Sequence, residues 1–184
     1  YTEFYFSSIN RMLRIISAAI TVAAPAIYLA VLTYHQEMIP TTLLISIYSA
    51  RQGVPFPAAL EVLLLMFSFD LVREASARIP SPMGQSLSIV GALILGQAAV
   101  EAKFFSSLVV IIAALTGITG LMVPKLKGVY IIVRTLLILV TSLLGLYGFA
   151  FGMIVLFIHL FSIRSLGVPF MMGVGSVKPE DIKD

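Results

Sequence analysis

The sequence predicts an all-α fold: a polytopic integral membrane bundle of four to five transmembrane helices. Three observations carry that prediction. Of 184 residues, 59% are hydrophobic and 11% charged, where a soluble domain has roughly 25% charged residues. The mean hydropathy is +1.04, and only lipid covers that much apolar surface. Long uncharged runs, such as residues 15–34, are punctuated by proline and glycine, and about 20 apolar residues suffice to cross a ~30 Å hydrocarbon core.

Composition also excludes whole classes of function. There is no cysteine, hence no disulfide, thiolate metal site or cysteine nucleophile. The net charge of +3 sits at segment ends, as membrane topology requires, and does not point to nucleic acid. The chain begins at Tyr1, with no signal-peptide pattern before the first apolar run. It reads as the membrane module of something longer.

Three regions follow in order: a juxtamembrane segment (1–14), a transmembrane domain (15–163) and a polar tail (164–184) read as unstructured. Arg11 and Arg14 put the start of the first span, 15–34, in the cytoplasm. Pro25 within it is tolerable in lipid. Pro40 followed by TTLLISIYSA reads as a short interfacial helix ended by Arg51-Gln52-Gly53. Pro57, at a first helical position, opens a proline-broken helix over 57–77. Its uncharged core, 62–69, is only eight residues long, so it either spans with its charges covered by protein or re-enters.

The helix over 83–102 carries a small residue at every fourth position, Gly84, Ser88, Ala92 and Gly96, an arrangement that lets backbones approach closely. Residues 107–123 form a further apolar run, closed by a basic turn at Lys125 and Lys127. The stretch 129–163 reads as an interfacial foot followed by one tilted span over 136–160, with Thr141, Gly145, Gly148 and Gly152 as a second close-packing face. If every hydrophobic helix crosses, the inner side holds Arg11, Arg14, Arg73, Arg78, Lys125, Lys127 and Arg134. The outer side then holds Arg51, Lys103, Arg164, Lys178 and Lys183. That split favours the all-crossing topology only weakly; a re-entrant 57–77 makes it even.

Function is sought over 53–102, where ionisable groups interrupt apolar sequence. Such groups face protein or water by default. Asp70 and Arg73 at i,i+3, and Glu74 and Arg78 at i,i+4, are acid-first pairs, the better orientation on a helix. They read either as a self-neutralising ladder or as a gating surface that re-pairs with a partner. Glu61 is either a helix N-terminal acid favoured by the macrodipole or an acid facing a cation path. Ser86, Val90, Leu93, Gln97 and Glu101 share a narrow arc of one helix face. Around a symmetric oligomer this stripe would give a carboxylate ring above an apolar constriction, the parts of a cation-selective pore. Alone, Gln97 and Glu101 would be hydrogen-bonding glue between helices. No nucleophile–base constellation, metal-ligand cluster or glycine-rich phosphate loop is present. No enzyme activity, cofactor or metal is expected.

GVPFPAALE at 53–61, DLVREASARIPSPMGQSLSIVGALILGQAAVEA at 70–102 and RSLGVPF at 164–170 resemble the A subunits of the GerA-type spore germination receptors. The resemblance covers the membrane half of those proteins, without their large N-terminal cytoplasmic domain. It implies a homo-oligomerising subunit of a nutrient-sensing complex in the inner spore membrane. Its partners there would be a transporter-like B subunit and a C-type lipoprotein subunit, and it would act as a nutrient-gated ion channel. The family signature falls on Arg73, Glu74, Pro80, Pro82, Gly84, Gln85, Gly91, Gly96, Gln97 and Glu101. Asp70 stands where relatives commonly have Glu; Lys103 and Ser107 stand where Gly and Pro are usual. A sporulation paralogue associated with dipicolinate transport has the same pattern. A transporter and a non-conducting scaffold are the rival readings.

Overall fold

The computed structural model describes residues 2–77, 83–122, 127–162, 164–165 and 168–169. Helix α1 runs over Thr2–Tyr34. The expected span begins at residue 15, but the helix continues through Arg11 and Arg14, because no proline or glycine interrupts 2–14. Pro25 lies inside it and removes the N–H that the Thr21 carbonyl would otherwise accept. The Thr21 hydroxyl donates to the Ser17 carbonyl at 2.7 Å and lies 2.9 Å from the Thr119 hydroxyl.

A short 3-10 turn (Gln36–Met38) leads to α2 (Thr41–Arg51), which buries only Ile47. Next, α3 (Ala58–Ala77) buries Ala58, Glu61, Val62, Leu65 and Met66, one stripe at helical spacing. Helix α4 (Met83–Glu101) is peripheral. A Cβ on Gly96 would come 3.2 Å from a Val110 methyl, and one on Gly91 3.6 Å from a Val72 methyl. Helix α5 (Ser107–Leu121) buries Val109, Ala113, Thr116 and Gly120. Thr119 meets Thr21, and Met122 accepts from Ser17 at 2.9 Å, so α5 runs antiparallel to α1.

Helix α6 (Lys127–Ser162) departs from the single tilted span. At Gly145 the backbone leaves the helix, with φ +61° and ψ −139°, a conformation open to glycine. A Cβ on Gly148 would lie 2.6 Å from the Val140 carbonyl oxygen, and one on Gly152 2.5 Å from Leu137 Cδ1. In a straight helix residues 137 and 152 stand about 22 Å apart. Residues 127–144 and 146–162 are therefore two arms of a hairpin, and Gly148 and Gly152 press one arm against the other. Gly148 and Gly152 do form a close-packing face, but within α6 itself, whereas Gly145 abuts the Tyr34 side chain of α1. At the turn Tyr34 donates to Ser142 O at 2.8 Å and approaches Leu143 O at 3.4 Å. Beyond α6, β1 (Arg164–Ser165) pairs antiparallel with β2 (Val168–Pro169), a short ladder in a tail expected to be irregular.

The core joins Leu29, Leu65, Val109 and Ile138. In water, burying each such side chain would stabilise by about 1.5–3 kcal/mol. Acyl chains are as apolar as leucine, so in lipid that driving force disappears and close packing and polar links hold the helices. The outside is correspondingly apolar: Phe6, Leu143 and Tyr147 are among many exposed large hydrophobics. Ile9–Tyr34 has the length and apolarity to cross a membrane, as has Gly128–Ser162 counted end to end through its turn at Gly145, and Ser107–Leu121 is a shorter apolar helix.

Candidate functional site

The charged residues of α3 divide between two places. Asp70 pairs with Arg134 of α6, and the Arg73 guanidinium donates to the Gly117 carbonyl of α5. Asp70 and Arg73 of the expected ladder thus link α3 to two other helices, while the Glu74–Arg78 pair involves a residue outside the described ones. Arg73 finds room because α5 carries glycine beneath it: a Cβ on Gly120 would come 2.9 Å from Nη1, and one on Gly117 3.4 Å from Nη2. Asp70, Arg73 and Arg134 together carry a net positive charge.

Glu61 lies near the other end of α3 and is fully buried. Its Oε1 accepts the Ser106 N–H at 2.5 Å, and its Oε2 stands 3.5 Å from Arg51 Nη2. Glu61 does sit in the first turn of α3, as the N-terminal-acid expectation has it. It is an internal anchor that joins the end of α2 to the start of α5, not a surface for a partner.

The turn that delivers Ser106 is itself informative. Lys103 has φ +55°, and its N–H bonds to Val100 O while that of Phe104 bonds to Ala99 O at 2.9 Å. This is the Schellman ending of a helix, which favours glycine at its left-handed position. The lysine stem lies over Gly53, whose own φ is +91°, and Phe104 faces Phe56 with ring centroids 6.2 Å apart. A left-handed non-glycine residue costs about 1–2 kcal/mol. Lys103→Gly is therefore expected to raise the melting temperature of the purified protein, by a stabilisation of about 1 kcal/mol.

Helix α4 places its stripe outward. Val90, Leu93, Gln97 and Glu101 are exposed, and Gln97 Nε2 donates to Glu101 Oε1 at 3.1 Å. Leu93, Gln97 and Glu101 border a groove of about 710 Å³ shared with α3 and α5, which Arg73 also lines. Glu74 is likewise exposed. Of the remaining candidates, Arg78 lies outside the described residues, as do the side chains of Gly84, Ser86, Ser88 and Ala92.

The partners Arg51, Ser106 and Arg134 were not among the candidates read from the sequence. Arg134 had a signal: a lone cation inside an otherwise apolar stretch requires an acid. Ser106 had none, since its contribution is a backbone N–H.

The family model for the Bacillus/Clostridium GerA spore germination protein matches residues 1–184. The chain belongs to that family. It is 41% identical to spore germination protein KA of Bacillus subtilis, over all of this chain and 34% of that protein. To spore germination protein GerLA of Bacillus cereus it is 39% identical, over all of this chain and 38% of that one. It is also 41% identical, over all of this chain and 36% of the relative, to the uncharacterized membrane protein YfkQ of Bacillus subtilis. This GerA-family chain thus spans about a third of the length of these relatives. No solved structure matches it.

Proposed function

We propose that this chain is the membrane part of a germinant-receptor A subunit that assembles with copies of itself around an ion-conducting path in the inner spore membrane. The observation that carries the proposal is the direction of its polar groups. Glu61, Asp70 and Arg134 turn inward to partners in the same chain, whereas the hydrogen-bonded Gln97 and Glu101 face outward from a peripheral helix. Polar groups at membrane depth require protein or water in front of them, and copies arranged about an axis would supply both. Glu101 then forms the charged mouth, Gln97 lies below it, and Leu93 and Val90 form the apolar constriction, with Ser86 continuing the stripe.

With α1 entering from the cytoplasm, α1, α3, α4, α5 and the two arms of α6 alternate in direction, and the hairpin returns the chain to the cytoplasmic side. Transporter-like B and lipoprotein C subunits would complete the receptor. Asp70, Arg73 and Arg134 would couple α3, α5 and α6, so that movement of one is felt by the others. This reading assigns no catalytic step and requires no cofactor.

The test is Glu101→Gln in the full-length subunit, with germinant-triggered potassium release from spores and unitary conductance in planar bilayers as readouts. A ring of like charges concentrates counter-ions at a mouth, so conductance is expected to fall by a factor of about 2–10 with assembly unchanged. Unaltered release and conductance would remove Glu101 from the pore mouth. A silent bilayer with the wild-type oligomer would make the chain a scaffold, and saturable uptake by the chain alone would make it a transporter.

A further inference from the structure

Four segments bring polar atoms to one buried junction around Glu61. The Tyr28 hydroxyl of α1 neighbours the Ser106 hydroxyl, but the two do not meet in hydrogen-bonding geometry. Arg51 ends α2, Glu61 sits in the first turn of α3, and Ser106 stands just before α5 without a side-chain capping bond. The carboxylate oxygen Oε1 is satisfied by the Ser106 N–H. Four other atoms here are buried without a hydrogen-bond partner within the chain: Tyr28 Oη, Arg51 Nε, Glu61 Oε2 and Ser106 Oγ. Buried polar atoms are hydrogen-bonded as a rule, and a cluster of exceptions signals a ligand.

The donor and acceptor inventory selects the chemistry of that ligand. Tyr28 Oη, Ser106 Oγ and Arg51 Nε each offer a hydrogen to donate, whereas the obligate acceptor among the four is Glu61 Oε2. A cation brings no acceptor, would leave Arg51 Nε unsatisfied and would be repelled by a guanidinium 3.5 Å from the same carboxylate. Water brings two donors and two acceptors, and an internal water is stable where it finds two to four polar partners. We propose that this junction is an internal water-binding site, in which one or two waters complete the hydrogen bonds of Glu61, Arg51, Tyr28 and Ser106 and so tie the surface helix α2 to the bundle. The site matters most for α2, which buries only Ile47 besides. It does not depend on the pore reading.

The sign of two conservative substitutions in the full-length protein tests the proposal. If water satisfies the hydroxyls, Tyr28→Phe and Ser106→Ala each break a network. The melting temperature in detergent then falls, and amide hydrogen exchange over 41–51 becomes faster. If the junction is dry, each substitution deletes an unsatisfied buried hydroxyl, and stability is unchanged or higher; that result would overturn the proposal. Melting of the wild type in potassium, sodium and choline chloride is expected to be the same. Stabilisation by potassium or sodium alone would replace water with a cation and equally overturn it. A map that resolves ordered water should place density about 2.7–3.2 Å from Glu61 Oε2. Contacts of about 2.3–2.6 Å, the range of a bound metal cation, or no density at all, would count against it.

Discussion

Asp70→Ala is expected to cost the folded bundle about 3–5 kcal/mol, the penalty for leaving one member of a buried ion pair without its partner. Arg134 is only 3% exposed, its Nε already lacks a hydrogen bond, and Arg73 is close enough to feel Asp70 as well. Removing the carboxylate therefore strands Arg134 among apolar helices, while Arg73 keeps its bond to the Gly117 carbonyl. For comparison, an interhelical hydrogen bond in lipid contributes on average about 0.6 kcal/mol, so no other single polar link described for the bundle compensates. Thermal unfolding of the purified full-length protein, followed with its level in the membrane, measures the loss. Asp70→Leu combined with Arg134→Leu is expected to recover most of it, because replacing both members by apolar groups of similar size is often neutral. A single substitution as mild as the double one would show that the pair contributes little.

The second large effect concerns the α6 hairpin. Cysteines introduced as Leu137→Cys and Gly152→Cys are expected to form a disulfide within one chain on mild oxidation. The bond requires Cα atoms within about 7 Å, whereas a continuous helix would hold these positions about 22 Å apart. Because this sequence has no cysteine of its own, the product is unambiguous once proteolysis between the arms shows the fragments still joined. Gly148→Val should act in the opposite sense. Its first side-chain carbon would sit 2.6 Å from the Val140 carbonyl oxygen, a backbone atom that cannot step aside. Overpacking of this kind costs about 1–3 kcal/mol, and cross-linking yield between residues 137 and 152 should drop with it. No cross-link in the otherwise unaltered chain would mean that α6 is straight.

The helices were legible because their signals are local. Pro40 and Pro57 announce α2 and α3 within one residue of where they begin. The run that follows Ser106 becomes α5, and the glycines of α6 mark a close approach. The candidate site was legible in part. The α4 stripe does share one exposed face at Val90, Leu93, Gln97 and Glu101, because helical periodicity alone sets which residues lie together. The partners were not. Asp70 and Arg73 look like a pair on one helix, and an exposed helix would keep them so, since an i,i+3 contact needs no other element. In the folded chain Asp70 instead meets the Arg134 guanidinium, and Arg73 meets the Gly117 carbonyl.

From the order of its residues alone, this protein is an apolar helical chain of the GerA family, with Pro40 and Pro57 setting where α2 and α3 start. Those features depend on neighbours a few residues away. Where Glu61 points, which arginine Asp70 meets, and whether α6 runs on or doubles back depend on residues tens of positions apart. Only packing of the whole bundle decides these. A buried charge takes the opposite charge that folding brings nearest, and a glycine opens a turn where another helix packs against it.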